Sequence, residues 1–330
     1  MNLTSPKISI ITPSYKQGRF IEETIRSIID QTYKNFEIII IDGGSTDETI
    51  SVIKKYESYI SHWVSEKDSG QSEAINKGLK VATGEIVTWL NSDDYYQPNT
   101  LEIIASQFAA NPDISIIHGK SVFFGEKRKD EIIGLDEDIP LYEYLPFMRF
   151  PQPSSFYRKT VFDSVSITNN LHYAMDFELL VKALLLGFKI KRVDNILSHY
   201  RIHSSSKSND DLKFLEEWSV IVYDLLHSFP ESKQYLNYFE NLNLVKKHTV
   251  ETYSTKITLK KEEIEVVFLK HLDLHYHYNY KLLQYENCKK ISAFLENNYP
   301  LFFKHNHYKK YNLRLKYIPE FIFKLKENLK

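Results

Sequence analysis

The first hundred residues alternate between short apolar runs and helix-like segments, with polar turns between them. Residues 38–41 form an unbroken apolar run, the pattern of a strand buried on both faces of a parallel sheet, and residues 8–12 form a similar β-branched run. Between the two runs, apolar residues recur at helical spacing: Phe20, Ile21, Ile25, Ile28 and Ile29. Further strands are expected at 62–64 and 85–90, with a helix at 71–82. This order of elements predicts a parallel, right-handed βαβ sheet.

Polar residues follow the predicted strands at the point where each strand ends. Asp42 follows the second strand, and Asn91-Ser92-Asp93-Asp94 follows the fourth. The carboxyl ends of parallel strands meet at one edge of an open sheet, which is where ligands bind. Carboxylates at that edge suit a hard divalent cation that carries a phosphorylated ligand. Taken alone, the Asp93-Asp94 pair is equally well interpreted as an acidic surface turn.

Four motifs follow one another along this part of the chain. They are Thr12-Pro13-Ser14-Tyr15, residues 41–47 (Ile-Asp-Gly-Gly-Ser-Thr-Asp), Asp68-Ser69-Gly70 with Asn76-Lys77-Gly78, and Asn91-Ser92-Asp93-Asp94. In this order and spacing they resemble the family 2 glycosyltransferases, which are inverting, nucleotide-sugar-dependent enzymes. The resemblance covers residues 7–210. It implies the GT-A fold, a Rossmann-like and mostly parallel sheet flanked by helices.

The resemblance also implies a site for a nucleotide-sugar donor. Its residues would be Thr12, Pro13, Tyr15, Asp42, Asp68, Asn91 and Arg201. The first three would line the base, and Asp42 would accept a hydrogen bond from it. As alternatives, Asp42 caps the next helix, a role that Ser45 or Thr46 can also fill, and Asp68 is a turn residue before Gly70 rather than part of a donor-sugar loop. A strand is expected at 188–193. Arg201, in the segment after it that resembles a loop over the diphosphate, can pair with phosphate oxygens.

Asn91-x-Asp93 occupies the place of the family's Asp-x-Asp motif, which implies Mn²⁺ or Mg²⁺ as cofactor. Because the first acid is replaced by Asn91, this residue is expected to hydrogen-bond the ribose or a phosphate instead of the metal. Asp93 is the first expected metal ligand and Asp94 the second. His203 would complete the metal site, although a lone histidine is as often structural or solvated.

An acid at the start of a predicted helix is the expected catalytic base. The spacing of Phe177, Leu180, Val181 and Leu184 buries one stripe of this helix and leaves Asp176 at its beginning. A carboxylate there is held ionised by the backbone dipole. By resemblance Asp176 is the base; the alternatives are a simple helix cap at Asp176 and Glu178 as the base.

Composition changes near residue 210, so we expect a catalytic domain over 1–210 and a helical region over 211–330. Helices are predicted at 211–227 and 231–247 and within 262–297. His271 and His275 have a spacing that can bind a metal, but no third ligand is evident. Residues 301–330 carry eight Lys or Arg against two Glu, interleaved with aromatic residues. That pattern suits an anionic membrane surface, or a basic helix packed on its own domain.

The remaining features limit the class of protein. The formal net charge of −1 gives no indication of nucleic acid, and one cysteine, Cys288, excludes an intrachain disulfide. The N-terminus lacks a signal-peptide pattern, and no apolar run reaches the roughly 20 residues of a transmembrane helix. Residues 13–16 are not a glycine-rich loop, which argues against a nucleotidyltransferase or an NAD-dependent dehydrogenase.

The sequence as a whole predicts a cytoplasmic enzyme, attached peripherally to the inner membrane face through its C-terminal segment. The family resemblance implies a UDP-sugar as its donor, with GDP or dTDP as alternatives. Its acceptor would be a growing glycan on a lipid carrier, as in surface polysaccharide biosynthesis. An inactive module that binds nucleotide-sugar or glycan on the same scaffold is the alternative function, and the retained Asp93 and Asp176 argue against it.

Overall fold

The computed structural model describes residues 5–126, 128–306, 308, 311 and 313, and these fall into two compact units. The first unit, here called the sheet unit, consists of the described parts of 1–144, 148–209 and 254–258. The second, the helical unit, consists of the described parts of 145–147, 210–253 and 259–330.

One sheet organises the sheet unit. Its strands are β1 (Ile8–Ser14), β2 (Phe36–Asp42), β3 (His62–Ser65), β4 (Ile86–Trp89), β5 (Tyr95–Tyr96), β6 (Ile116–Gly125), β7 (Arg128–Ile133), β8 (Ser155–Arg158) and β9 (Ile190–Ile202). They are ordered β3-β2-β1-β4-β8-β6-β9-β5, and β7 pairs with β6. Strands β1 to β4, β6 and β9 run in one direction, whereas β5, β7 and β8 run against them. The predicted mostly parallel α/β sheet is confirmed.

Helices cover both faces of this sheet. They are α1 (Ile21–Ile29), α2 (Thr49–Lys55), α3 (Gln71–Val81), α4 (Thr100–Ala110), α5 (Lys159–Ser164) and α6 (Met175–Leu185). Successive residues of a strand point to opposite faces. On one face Ile10 belongs to the core cluster that includes the buried stripe of α1. On the other face α3 approaches so closely that a Cβ at Gly78 would lie 2.5 Å from Cγ2 of Ile11, so this position requires glycine.

Strand β9 is longer than predicted, and this changes the setting of Arg201. The sequence suggested a strand only at 188–193, followed by a loop around Arg201. In the structure β9 pairs with β6 from Ile190 to Ile202 and antiparallel with β5, where Tyr95 faces His199. The loop prediction for Arg201 is therefore wrong, because long-range pairing with β6 extends the strand. The pairing also brings the acidic run before β5 beside the end of β9.

The helical unit contains α7 (Asp211–His227), α8 (Lys233–Asn241), α9 (Lys261–Lys281), α10 (Tyr285–Asn298) and α11 (Pro300–His305). The predicted second helix ends early, near Asn243, which has a positive φ of 53° that asparagine tolerates. His271 and His275, whose spacing alone would allow metal binding, are buried, and both Nε2 atoms contact Oγ of Ser219, at 3.3 and 2.7 Å.

The basic segment 301–330 lies mostly outside the described residues. In its described part, Phe303 and Tyr308 are buried, whereas Leu301 is exposed. None of the helices in the described ranges is long and apolar enough to cross a membrane.

Candidate active site

Asp93 and His203 meet at the carboxyl edge of the sheet, although 110 positions separate them in the chain. Oδ2 of Asp93 lies 3.1 Å from Nε2 of His203, and the side chains are 18% and 9% exposed. Nδ1 of His203 accepts a hydrogen bond from the backbone N–H of Ser205. When the imidazole ring is neutral, this arrangement places its proton on Nε2, and the Nε2–H group donates a hydrogen bond to the Asp93 carboxylate.

Asp94 and Arg201 are engaged with each other and with the backbone. Asp94 is buried, and its Oδ1 accepts the backbone N–H of Arg201 at 2.8 Å. In return, Nε of Arg201 donates to the backbone carbonyl of Asp93 at 2.9 Å. Burial, followed by the neighbouring charge of Asp93, raises the pKa of Asp94 well above its usual range. The Arg201 guanidinium also pairs with Glu23 and lies 4.5 Å from the ring centroid of Phe124.

Asn91 connects this network to the start of α3. Its Oδ1 accepts a hydrogen bond from Nε2 of Gln71 at 2.6 Å, and its Nδ2 lies 3.4 Å from Oδ2 of Asp94. Oε1 of Gln71 in turn accepts from Nζ of Lys207 at 3.2 Å. The segment that carries His203 is thereby joined to α3 as well as to the acidic run.

Asp42, the last residue of β2, organises the turn that follows it. Its buried Oδ2 accepts the backbone N–H groups of Gly44 and Ser45, at 3.0 and 2.8 Å, and the hydroxyl of Ser65 at 2.6 Å. At the start of the next helix, α2, the backbone N–H of Thr49 donates a hydrogen bond to Oδ1 of Asp47 instead. The capping alternatives considered for Asp42, Ser45 and Thr46 do not describe this turn.

Asp68 lies against the same turn. Its Oδ1 accepts the backbone N–H of Gly70 at 3.0 Å, and a Cβ added to Gly43 would lie 3.0 Å from that oxygen. Burial raises the pKa of the Asp68 carboxyl, partly offset by the hydrogen bond from Gly70. The structure therefore brings together the loops that follow β2 and β3.

The three residues expected to line the base lie at the end of β1. Thr12 is fully buried, and its hydroxyl has no hydrogen-bond partner among the described residues. The carbonyl of Pro13 accepts from the hydroxyl of Ser92, which ties this strand to the acidic run. The ring of Tyr15 is 55% exposed just beyond the strand. An exposed ring at this edge is suited to stacking on a planar base.

Asp176 is the second residue of α6 and is partly exposed. Its Oδ1 accepts the backbone N–H of Phe177 at 2.8 Å. Glu178, the alternative base, is buried and pairs with Lys182 at 3.0 Å. Of these two acids, Asp176 is the more accessible to an acceptor.

Tyr200 relates this acid to the Asp93 region. The pKa of Tyr200 is raised by burial first and further by the negative charges of Asp94, Asp93 and Asp176. Nζ of Lys207, four residues after His203, donates to the backbone carbonyl of His172, four residues before Asp176, at 3.0 Å. The expected metal ligands and the expected base thus belong to one region of the sheet unit.

The Asp93–His203 pair has the chemistry of a divalent cation site, since Mn²⁺ binds carboxylate oxygen and imidazole nitrogen. Within the described ranges, no three or more His, Cys, Asp or Glu side chains are grouped to bind a metal. Two protein ligands suffice where substrate phosphates supply further oxygens, as is common for Mg²⁺. The residues present therefore fit a cation that binds together with a nucleotide diphosphate.

Comparison with known proteins assigns the family. A family model described as glycosyl transferase family 2 matches residues 9–166. An uncharacterised glycosyltransferase of Rickettsia typhi is 30% identical over 234 residues, which cover 67% of this chain and 71% of the relative. This chain belongs to the family 2 glycosyltransferases. A putative teichuronic acid biosynthesis glycosyltransferase, TuaG of Bacillus subtilis, is 40% identical over 100 residues, 29% of this chain and 40% of the relative.

Solved structures share the fold of this glycosyltransferase. Residues 1–349 of Staphylococcus aureus TarS, in complex with UDP-GlcNAc, match with a TM-score of 0.60 at 18% identity, over 88% of this chain and 81% of that fragment. The mannosyltransferase PcManGT from Pyrobaculum calidifontis, in complex with GDP-Man and Mn²⁺, matches with a TM-score of 0.54 at 15% identity. That match covers 97% of this chain and 84% of PcManGT.

Sequence reasoning missed several side chains of this glycosyltransferase that contact the expected site residues. Glu23 pairs with Arg201, Gln71 donates to Asn91, and Lys207 donates to Gln71. Glu23 and Gln71 are polar residues in the first turns of α1 and α3, where polar residues are common in any helix. No local signal therefore separates them from ordinary surface positions.

Proposed function

We propose that this chain is an inverting glycosyltransferase that moves a hexosyl group from a UDP-linked sugar to a hydroxyl of a growing glycan. The observation that carries the proposal is a convergence at one edge of the sheet. Asp93 contacts His203 where β4 and β9 end, and Lys207 joins the segment after His203 to the backbone carbonyl of His172, four residues before Asp176. Acids there can serve both a diphosphate-bound cation and proton removal from an acceptor. Membership of the glycosyltransferase family gives this convergence its chemical meaning.

The donor would bind along the carboxyl ends of β1 to β4. Thr12, Pro13 and Tyr15 would line the base, and the Asp42 carboxylate would accept a hydrogen bond from it. Asp68 would face the donor sugar, and Asn91 the ribose or a phosphate. The TarS complex with UDP-GlcNAc supports a uridine nucleotide, and the PcManGT complex with GDP-Man keeps GDP as the alternative.

Asp176 would act as the general base. Its carboxylate takes the proton of the acceptor hydroxyl while that oxygen forms a bond to the anomeric carbon from the face opposite the leaving group. The bond from this carbon to the diphosphate oxygen breaks, and the nucleoside diphosphate leaves with the electron pair. Positioned bases of this type contribute about 10²- to 10⁴-fold to the rate.

A divalent cation held by Asp93 and His203 would stabilise the charge that develops on the leaving diphosphate, as a Lewis acid. Asp94 and Arg201 would contribute less directly to this stabilisation, because Asp94 already accepts the backbone N–H of Arg201 and Arg201 already pairs with Glu23. The segment 203–209 would exclude water from the donor, since Nζ of Lys207 donates to Oε1 of Gln71 and to the backbone carbonyl of His172. Transfer could then compete with hydrolysis.

The acceptor would be a lipid-linked glycan of surface polysaccharide biosynthesis, with the enzyme peripheral on the cytoplasmic face of the membrane. The TuaG relative supports this class of product. Residues 301–330 have a net charge of 8 − 2 = +6, counting histidine as neutral, which favours an anionic surface. Phe303 and Tyr308 are buried and so are not available to lipid, which limits the membrane contact to other residues of the segment.

A panel of nucleotide-sugars tests this function. Thermal shift with Mn²⁺ or with EDTA should identify a UDP-sugar that stabilises the protein more strongly with Mn²⁺. NMR of the product formed from that donor and a lipid-linked acceptor extract should then reveal a β-linkage from an α-linked donor. If the protein binds the donor but neither transfers its sugar nor slowly hydrolyses it, the inactive binding module is favoured instead. Retention of the anomeric configuration would exclude Asp176 as the base of a direct displacement.

A further inference from the structure

Two reciprocal hydrogen bonds join the acidic run after β4 to the end of β9. The Asp94 carboxylate holds the backbone N–H of Arg201, and the Arg201 side chain holds the backbone carbonyl of Asp93. These contacts lie just beyond the antiparallel pairing of Tyr95 with His199. They continue the connection between the two segments past the point where regular strand pairing stops.

Helix α1 supports both partners of this connection. Glu23 pairs with the guanidinium of Arg201, and the hydroxyl of the next residue, Thr24, donates to the backbone carbonyl of Asp94 at 2.7 Å. The guanidinium also lies 4.9 Å from the ring centroid of Phe20 and is only 16% exposed with its side chain. Arg201 is thus held by contacts from more than one direction.

The connection ends directly at the expected cation ligands. Asp93 precedes Asp94, and His203 follows Arg201 by two residues, so each reciprocal bond fixes the backbone next to one member of the Asp93–His203 pair. Among the described residues no third His, Cys, Asp or Glu is grouped with this pair, so the protein's part of the site depends strongly on the separation of the two side chains. Groups that orient metal ligands typically change metal affinity by about 10- to 100-fold.

We propose that Glu23, Asp94 and Arg201 form a clamp that sets the separation of Asp93 and His203 for cation binding. In this proposal Asp94 is a positioning residue rather than a metal ligand, and Arg201 is a positioning residue rather than a phosphate-binding one. The proposal rests on the proposed function of Asp93 and His203 as a nucleotide-dependent cation site. It adds helix α1, through Glu23 and Thr24, to the elements that set the geometry of this site.

The decisive variant is Glu23→Gln, because it loosens Arg201 without removing any group from the expected ligand site. Glu22→Gln is the matched control: Glu22 is the preceding residue of α1 and likewise pairs with a cation, Lys55 at 2.7 Å. Calorimetry of UDP binding is carried out for wild type and both variants, in Mn²⁺ and in EDTA. The clamp predicts about tenfold weaker UDP binding for Glu23→Gln in Mn²⁺, and unchanged binding in EDTA. Glu22→Gln should match the wild type in both buffers.

The opposite outcomes overturn the clamp. If Arg201 is a phosphate ligand, Glu23→Gln frees it, and UDP binds equally well or more tightly in both buffers. Equal losses in Mn²⁺ and EDTA would mean general damage to the nucleotide site. A wild-type protein whose UDP affinity is the same in both buffers overturns the cation part of the proposed function as well. A Mn²⁺-dependent wild type with a normal Glu23→Gln overturns the clamp alone.

A second comparison separates positioning from ligation at Asp94. Asp94→Asn keeps an oxygen that can accept the Arg201 N–H, whereas Asp94→Ala removes it. For a positioning residue, Asp94→Asn should retain most of the Mn²⁺ effect on UDP affinity and Asp94→Ala should lose it. Equal losses in the two variants would make the carboxylate charge itself the requirement, and Asp94 would return to the metal site.

Discussion

The sheet unit and the helical unit each contain an aspartate in contact with a histidine. In the sheet unit Oδ2 of Asp93 lies 3.1 Å from Nε2 of His203; in the helical unit Oδ1 of Asp224 lies 2.8 Å from Nε2 of His248. The side chains within each pair are no more than 20% exposed. By distance and chemistry alone, the two pairs are hardly distinguishable.

The surroundings of the two pairs differ. Asp93 and His203 lie where strands end, and the backbone carbonyl of Asp93 accepts a hydrogen bond from Nε of Arg201. Asp224 lies within helix α7, and the ring of His248 packs 5.7 Å from that of Tyr223. The comparison teaches that an Asp–His contact is not by itself a sign of function. Its location at the carboxyl edge of a parallel sheet is what favours a ligand site.

The largest expected effect concerns the acids at two helix starts. Asp176→Asn preserves shape but removes proton affinity at neutral pH, so turnover should fall about a hundredfold or more while donor affinity stays close to wild type. Asp211→Asn makes the same change at the start of α7, where the acid pairs with Lys281, and should leave turnover unchanged. Steady-state kinetics with the identified donor measures both. Turnover of Asp176→Asn within a few-fold of wild type would assign the role of base to Glu178 or another acid.

The two Asp–His pairs provide the next test. Asp93→Asn should weaken Mn²⁺-dependent UDP binding by at least about tenfold, because it removes a cation ligand. Asp224→Asn should leave that binding unchanged and instead lower the free energy of unfolding by about 1–3 kcal/mol, since a buried hydrogen-bonded carboxylate is altered. Calorimetry and urea unfolding distinguish the two results. Wild-type affinity in Asp93→Asn would remove this residue from the site.

Acid should act on buried histidines of both units before it acts on Glu37 of the sheet unit. In the sheet unit, burial lowers the pKa of His118 to about 3. Burial lowers the pKa of His271 from 6.5 to about 4. Between these two pH values His271 is protonated in the unfolded chain but neutral in the folded chain, so the folded state loses stability as the pH falls from 6.5 towards 4. In the sheet unit, burial alone would raise the pKa of Glu37, but hydrogen bonds from Lys7, Ser9 and Thr83 hold it at about 2, so its stabilisation is lost only below pH 4.5. Each such group changes stability by at most about 1.4 kcal/mol per pH unit.

Urea unfolding between pH 7 and 5 measures this difference. We expect the urea midpoint of the wild type to decrease as the pH falls below 6.5, and the urea midpoint of His271→Gln to decrease less. The urea midpoint of Glu37→Gln should follow that of the wild type in this pH range. A His271→Gln profile that is parallel to wild type would show that this histidine does not set the acid sensitivity.

The smallest expected effect is on membrane binding. The cations of residues 301–330 should give reversible, salt-sensitive attachment to anionic vesicles, at roughly 1 kcal/mol or less for each cation near the surface. Co-sedimentation compares the full chain with a variant in which Lys309, Lys310 and Arg314 are replaced by glutamine. Equal sedimentation of the two proteins would indicate that this segment packs on its own unit, as Phe303 and Tyr308 already do.

Apolar runs and helical periodicity along the sequence determined the strands β1 to β4, the helices between them, and the position of Asp42 and Asp93 just at or beyond strand ends. These features are local, because a strand buried on both faces of a sheet is a continuous apolar run and burial on a helix imposes a repeat of 3.6 residues. Helix α7 was likewise predicted with the bounds that the structure has, Asp211–His227. The roles assigned to the site residues by family resemblance remain proposals.

Only the tertiary structure decided which of those residues meet. Because β9 pairs with β6, Arg201 lies in a strand rather than in the expected loop. Because β9 also pairs with β5, Asp94 lies beside the backbone of Arg201. The partnership of Glu23 with Arg201 joins residues 178 positions apart. No pattern in a local window specifies such contacts, because they depend on how distant strands pair and on which helix then packs over their ends.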